Sequence, residues 1–204
     1  MPFPPQFFIT GTDTDVGKTI VSALLTLGLG YAYWKPIQSG TPTDTDTLRS
    51  ATGLDASHFI PERYRLTQPL SPHAAAAIDR HHISLTDFQL PVTDKPGLIV
   101  EGAGGLMVPI NEQDLMIDLI RSLHLPVCLV ARSKLGTINH TLLSIAALRQ
   151  AEIPILGVMI NGEKNQINRE AIEHYGQVKI LGELEPLAEI NAQSLAIAFD
   201  KIFS

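Results

Sequence analysis

Gly11-Thr-Asp-Thr-Asp-Val-Gly-Lys18-Thr19 lies between an apolar run, Phe7-Phe8-Ile9, and a helical pattern that begins at Ile20-Val21. A strand that feeds a glycine-bounded loop and then opens a helix brings several backbone N–H groups and the positive end of a helix dipole to one point, which makes an anion site. Lys18 then reaches the outer phosphates of a nucleotide as a point charge. The Thr19 hydroxyl, in the first helical turn, is placed to ligate Mg²⁺. Two features run against the usual phosphate loop. Five residues rather than four separate Gly11 from Gly17. Asp13 and Asp15 also sit inside a loop meant for an anion, where they repel phosphate unless a metal or a cationic substrate group is close. The plainer alternative is a surface turn rich in Gly, Thr and Asp, residues that cap helices in any case. The strand before the loop and the helix after it argue for the phosphate site.

Working outward, the chain alternates between two hydrophobic periods. Gln6–Thr10 reads as a strand and 18–29 as a helix with Val21, Leu24, Leu25 and Leu29 on one face, stopped by Gly28 and Gly30. Tyr31–Trp34 is a second strand, ending in Lys35-Pro36-Ile-Gln-Ser39-Gly40, where the proline keeps Lys35 out of a helix. A loop carrying Asp44 and Asp46 leads to a short helical segment near Leu48. Between 52 and 96 only one helix stands out, from Ser71-Pro72-His73 through Ile78, since serine caps and proline suits the first helical position. Further strands are expected at 97–101, running into Gly102-Ala-Gly-Gly105, and at 127–131, 155–160 and 178–181. Helices are expected at 114–123, 137–151, about 168–175 and about 192–203. Alternation of this kind predicts a doubly wound α/β fold, a mostly parallel sheet with helices on both faces and ligands at the carboxyl ends of its strands. With no internal repeat or low-complexity linker, residues 1–204 are expected to form one domain.

Composition excludes several classes of function. A chain of 204 residues that is 45% hydrophobic can bury a sizeable core. Fifteen basic against 21 acidic residues, with no basic run, argue against a nucleic-acid partner. The single cysteine, Cys128, excludes an internal disulfide and lies in the apolar run Val127-Cys-Leu-Val130, where a buried strand thiol is expected rather than a nucleophile. No apolar stretch approaches the length of a membrane span, and Met1-Pro-Phe-Pro-Pro lacks the features of a signal peptide, so a soluble cytoplasmic protein is expected.

The polar clusters fall just after strands: the phosphate loop, then Lys35 and Ser39, then Glu101 with its glycines, then Asn161. In a doubly wound sheet these positions converge. Glu101, at the end of Leu-Ile-Val, is expected to be a metal or catalytic carboxylate, because a charge there is costly unless paired. Asp46 is as readily solvated as functional, and His73 and His140, at helix starts, read as structural.

Gly11-Thr-Asp-Thr-Asp-Val-Gly-Lys-Thr19, Lys35-Pro-Ile-Gln-Ser-Gly40, Ser71-Pro72-His73, Glu101-Gly-Ala-Gly-Gly105 and Lys134-Leu-Gly-Thr-Ile-Asn-His140, in that order, resemble the motif set of the dethiobiotin synthetase family over essentially the whole chain. The long loop interior is itself a feature of that family. The resemblance implies a P-loop NTPase fold and a MgATP-dependent ring closure. In it 7,8-diaminopelargonate and CO₂ form a carbamate, ATP phosphorylates the carbamate, and the second amine closes the ureido ring. By resemblance Lys18 and Lys35 are catalytic, with Lys35 the principal lysine. Thr19, Asp46 and Glu101 take the metal-binding positions. Thr14, Asp15, Lys35 and Ser39 contact the diamine or its carbamate, which explains acidic residues in a phosphate loop, because their partner is an amine.

The resemblance also implies a nucleotide site formed by Asp15, Val16, Gly17, Lys18, Thr19, Ile20, Asp46, Glu101, Gly102, Ala103, Gly104, Asn161, Gly162, Glu185, Pro186 and Leu187. Gly162 stands where the family commonly has aspartate, and Glu185-Pro186-Leu187 replaces a Pro-Trp-Leu segment. Members act as homodimers in which the neighbouring subunit holds the substrate carboxylate, a role that falls here to Gly136, Thr137 and Asn139 at a helix start. The alternative is a nucleotide-switch ATPase of the partitioning type. Such proteins carry an extra lysine early in the loop, where this chain has Gly11-Thr-Asp-Thr. An amidotransferase of the cobyrinate kind would need a glutaminase cysteine in a setting that Cys128 does not offer.

Overall fold

A computed structural model of the chain describes residues 3–204; Met1 and Pro2, where the signal-peptide reading begins, lie outside them. Seven strands form a parallel sheet in the order β4-β2-β6-β1-β7-β8-β9. They are β1 (Gln6–Gly11), β2 (Ala32–Trp34), β4 (Phe59–Ile60), β6 (Leu98–Gly105), β7 (Val127–Arg132), β8 (Ile155–Asn161) and β9 (Ile180–Leu184). Two short strands, β3 (Ile37–Ser39) and β5 (Tyr64–Leu66), pair in parallel beside the sheet. The helices are α1 (Lys18–Leu29), α2 (Asp44–Thr52), α3 (Pro72–Asp79), α4 (Met116–Leu123), α5 (Thr137–Gln150), α6 (Gln166–Gly176) and α7 (Ala192–Phe203). This is the expected doubly wound fold.

Period-two alternation divides the core into two layers. Phe7, Ile9, Tyr33, Ile99, Cys128, Val130 and Met159 face the layer shared with α1, α2 and α7. Phe8, Trp34, Val100, Leu129 and Ile160 face the opposite layer, where α4, α5 and α6 pack. Phe7, Phe8 and Ile9 are all fully buried, as befits a central parallel strand covered on both faces. Each such side chain contributes about 1.5–3 kcal/mol by leaving water.

The register of the sheet sets the site. Tyr33 pairs with Ile99 and Trp34 with Val100, so the next residues, Lys35 and Glu101, emerge side by side on the α1 face. On the other side of β6, Ile9 pairs with Glu101 but Gly11 pairs with Gly105, so β6 carries extra residues over its glycine run. The glycines expected to follow this strand therefore belong to it, as an irregular end. Gly104 takes a left-handed φ of 68° there.

Besides these glycines, and α2, which begins at Asp44 where a loop was expected, other segments differ from the sequence expectation. β9 runs from Ile180 to Leu184 rather than from 178 to 181, and it carries one extra residue against β8, since Val158 pairs with Ile180 and Met159 with Gly182. The segment 52–96 contains β4, β5 and α3, the last where Ser71-Pro72 predicted a helix. β3 continues directly from Lys35-Pro36 and pairs with β5 outside the main sheet. Its three residues are too few to show any period. Cys128 is fully buried, and burial pushes its thiol up to about 12, as expected of a packing residue. Among the described residues no helix is long and apolar enough to cross a membrane.

Gly28, near the end of α1, provides a test of the packing between α1 and α7. Alanine is the better helix former by about 1 kcal/mol, but a Cβ at this position runs into the Phe199 ring. Gly28→Ala should therefore destabilise the chain, by about 1–3 kcal/mol in urea unfolding; a gain in stability would mean that α7 is not seated against α1.

Candidate functional site

The loop from Gly11 to Gly17 closes on itself before it opens α1. The Lys18 ammonium reaches back to the Asp13 carbonyl at 3.1 Å, which marks where cationic charge and inward-facing backbone meet. Gly17 has a left-handed φ of 93° and caps α1. The Asn161 side-chain amide donates to the Val16 carbonyl at 3.1 Å, and a Cβ at Gly17 would overlap that amide. Glycine is thus required here both by conformation and by the approach of β8's last residue. Asp15 takes a positive φ of 57° and is exposed beside Thr14. Val16 is fully buried and anchors the loop to the core; Ile20 lies one turn into the helix, half-buried.

Behind the loop lies a buried charge cluster. Lys35 is 4% exposed and its ammonium forms an ion pair with Glu101 at 3.0 Å and another with Asp44. It also donates to the Gly102 carbonyl at 3.4 Å. Glu101 is fully buried. Its Oε2 accepts from Ser22 Oγ at 2.5 Å, and its Oε1 is 3.5 Å from the Thr19 hydroxyl. Thr19 in turn donates to Asp44 Oδ1 at 3.1 Å. Burial pulls the Lys35 pKa down, but the charges of Glu101 and Asp44 and hydrogen bonds to both outweigh it, so Lys35 titrates above an ordinary lysine. Lys18 moves the other way. Burial lowers it and the like charge of Lys35 adds to that, against the pull of Glu101. Tyr33, fully buried on the same face, titrates well above an ordinary phenol because of burial and then the charges of Glu101 and Asp44.

One predicted residue is not brought into this cluster. Asp46, expected at the metal-binding position, takes a hydrogen bond from Thr43 at 2.7 Å and lies 3.7 Å from Arg65, with its side chain 57% exposed. Asp44, rather than Asp46, meets Thr19 and Lys35. The reason is helical geometry. Both residues lie in the first turn of α2, and positions two apart project about 200° from each other, so only one can face Thr19. Thr43 caps α2 by accepting from the Asp46 N–H at 3.0 Å, while Gln38 accepts from the Asp44 N–H at 3.1 Å and so ties α2 to the segment after Lys35. The cap is Thr43, and Asp46, three residues on, is bound to its hydroxyl by both the backbone N–H and a carboxylate oxygen. Ser22 had no signal in the sequence, since its partner is 79 residues away.

The remaining expected residues divide into four groups. Gly102, Ala103 and Gly104 follow Glu101 along the sheet's carboxyl edge. Ser39 ends β3 with a buried hydroxyl that has no hydrogen-bond partner among the described residues, an orphan that suits a ligand group. At the far side of the sheet, Gly162 donates its N–H to the Leu184 carbonyl at 2.9 Å, so Asn161-Gly162 and Glu185-Pro186-Leu187 leave neighbouring strands together. The Glu185 carboxylate is held by Lys201 at 2.7 Å and Lys164 at 3.5 Å. Gly136, Thr137 and Asn139 open α5, with the Thr137 hydroxyl buried and unpartnered. Among the described residues no hydrogen bond joins those three to Lys18, Lys35 or Ser39. An open groove of about 440 Å³ runs between the start of the phosphate loop and α5, lined by Thr12, Asp13, Thr14, Met107, His140 and Leu143. His140, read as structural from its place at a helix start, lines this groove.

Asp44 is held below its ordinary value of 3.8: burial opposes this, but the charge and hydrogen bond of Lys35 prevail. Its ionisation therefore stabilises the folded chain above that value, and the contribution is lost as pH falls through the depressed one. The excess unfolding free energy of wild type over Asp44→Asn should stay constant from neutral pH down to about pH 5 and shrink below about pH 4. A gap that persists unchanged in stronger acid, followed by urea unfolding, would overturn the pairing.

A protein-family model described as an AAA domain matches residues 5–194. The chain is 52% identical over 189 residues to the ATP-dependent dethiobiotin synthetase BioD of Paramagnetospirillum magneticum, covering 93% of this chain and 92% of that protein. It is 47% identical over 202 residues to the ATP-dependent dethiobiotin synthetase BioD of Rhodopseudomonas palustris, covering 98% of this chain and 94% of that protein. Among solved structures, the septum site-determining protein MinD of Pyrococcus horikoshii, complexed with Mg-ADP, superposes with a TM-score of 0.55 at 14% identity, covering 98% of this chain and 96% of that one. That likeness is one of fold.

Proposed function

We infer the reaction from one premise: this chain belongs to the ATP-dependent dethiobiotin synthetase family. It uses ATP to carboxylate 7,8-diaminopelargonate with CO₂ and close the ureido ring, giving dethiobiotin, ADP and phosphate in biotin biosynthesis. The observation that carries this reading to the present residues is the pair of lysines behind the phosphate loop. Lys18 is loop-bound, and Lys35 is buried between two carboxylates.

In this reading residues 1–204 act as one synthetase domain. Lys18 and the backbone N–H groups of the loop bind the outer phosphates. Lys35, kept cationic by Glu101 and Asp44, faces the carbamate and the phosphoryl group moving onto it, and neutralises charge as that group passes between oxygens. The uncharged second amine then attacks the carbamate carbon and phosphate leaves with the bonding electrons. Holding amine and carbamate together makes this step effectively intramolecular. Thr14, Asp15 and Ser39 orient the diamine. The acidic loop residues suit its cationic form, and the unpartnered Ser39 hydroxyl suits a carbamate oxygen.

The donor set fits Mg²⁺. Among the described residues no group of three His, Cys, Asp or Glu side chains gathers, but magnesium uses one or two carboxylates, waters and substrate phosphates. Thr19, Asp44 and Glu101 supply a hydroxyl and two carboxylates of that kind, and bound Mg²⁺ would screen charge between the phosphates. Asn161, with Gly162 and 185–187 on the neighbouring strand end, is assigned to the base. Gly136, Thr137 and Asn139 serve the substrate carboxylate of a neighbouring subunit in a homodimer. This accounts for their separation from Lys35 within one chain and for the exposed Leu135, Met107 and Leu143 around α5 and the groove. A cytoplasmic location accords with the substrates.

The deciding experiment mixes protein, MgATP, bicarbonate and diaminopelargonate, and follows ADP and the mass of the organic product with and without the diamine. ADP release that depends on the diamine, with a dethiobiotin mass, supports the reading; ATP hydrolysis indifferent to the diamine refutes it. Lys35→Gln, which keeps a donor beside Glu101, should bind MgADP within a few-fold of wild type yet form product about 10²–10³-fold more slowly. Lys18→Ala should weaken nucleotide binding as well. Wild-type turnover by Lys35→Gln would remove Lys35 from the chemistry.

A further inference from the structure

Ser22 belongs to none of the motifs that mark this family's chemistry in the chain, yet it makes one of the shortest contacts in the site. Its hydroxyl and the Glu101 carboxylate are both fully buried, 2.5 Å apart. Ser22 lies three residues after Thr19, on the same face of α1. Two hydroxyls from successive turns of one helix therefore address the two oxygens of one carboxylate: Ser22 takes Oε2, and Thr19 approaches Oε1, the oxygen that also holds Lys35. A buried serine in a helix interior is costlier than alanine by propensity and by desolvation. That cost is offset only if the hydroxyl has a defined partner, and Glu101 is its partner here.

We propose that Ser22 is a positioning residue. It locks the Glu101 carboxylate so that a single oxygen faces the phosphate loop, and so sets the site's affinity for the divalent cation that accompanies the nucleotide. The inference rests on the assignment of Glu101 to the metal. Without the Ser22 donor, Glu101 can turn about its last torsion, whose wells are broad, and Oε2 loses its one hydrogen bond in a buried setting. Partners of this kind, one step removed from a metal ligand, typically change metal affinity or activity about 10–100-fold when lost. Thr26 supplies the control. It lies one turn further along α1, is also fully buried, and its hydroxyl has no partner.

The test measures ADP affinity by equilibrium titration with Mg²⁺ and again with EDTA, for wild type, Ser22→Ala, Ser22→Thr, Thr26→Val and Glu101→Gln, together with thermal melts. Wild type should bind ADP more tightly with Mg²⁺. Ser22→Ala should lose about tenfold of that enhancement while keeping its affinity in EDTA, with Ser22→Thr restoring most of it and Thr26→Val matching wild type. In turnover, Ser22→Ala should raise the apparent KM for Mg²⁺ about tenfold and lower kcat at saturating Mg²⁺ far less. If Ser22→Ala unfolds, Ser22→Cys, a weak donor of similar shape, takes its place in the same measurement. An unchanged Mg²⁺ enhancement in the Ser22 variant, or equal losses with Mg²⁺ and EDTA, overturns the role of Ser22. If Glu101→Gln keeps the full enhancement, the assignment of Glu101 to the metal fails, and the Ser22 inference fails with it.

Discussion

The Lys35 ammonium, buried between Glu101 and Asp44, is the interaction on which the site depends. A lone cation at 4% exposure would shed its proton or disrupt the fold. Two carboxylates prevent both, and each is delivered by a different element: Glu101 by the central strand β6, Asp44 by the first turn of α2. Thr19 and Ser22 add α1 to the same set of contacts. The cluster is therefore structural and chemical together. It joins four elements at the sheet's carboxyl edge and keeps a positive charge beside the phosphate loop.

Placing Lys18 next to this cluster has an electrostatic consequence. Lys35 and Lys18 repel, and their titrations separate in opposite directions. Two lysines in similar burial thus acquire different characters: one is held by carboxylates, and the other is poised against a backbone carbonyl where phosphate oxygens can compete for it. The acidic residues of the loop fit the same scheme. Asp15 is exposed at a left-handed position, and Asp13 lies 3.9 Å from Arg132, whose charge offsets that of its carboxylate.

Much of the fold was legible because its signals are local. Phe7-Phe8-Ile9 before a glycine-bounded loop, the apolar face of α1, and Ser71-Pro72 at the start of α3 each act over a few residues. Elements that owe their form to partners were not. β3 and β5 have three residues each and exist through their mutual pairing. β9 is fixed by its pairing with β8, against which it carries an extra residue, and the glycine run after Glu101 is strand because β1 and its irregular register hold it there. For the site, Lys18, Lys35, Thr19 and Glu101 were readable from motif and position, whereas the choice between Asp44 and Asp46 turned on where one short helix begins.

Residue order by itself determined the alternation of strand and helix, the anion loop, and the family to which the chain belongs, since all of these reside in short-range pattern and motif. Only the tertiary structure decided which carboxylate meets Thr19, that Ser22 holds Glu101, and that Asn161 braces the phosphate loop. Those contacts span 25, 79 and 145 residues. They arise because parallel strands bring distant strand ends to one edge, a juxtaposition that no local period encodes.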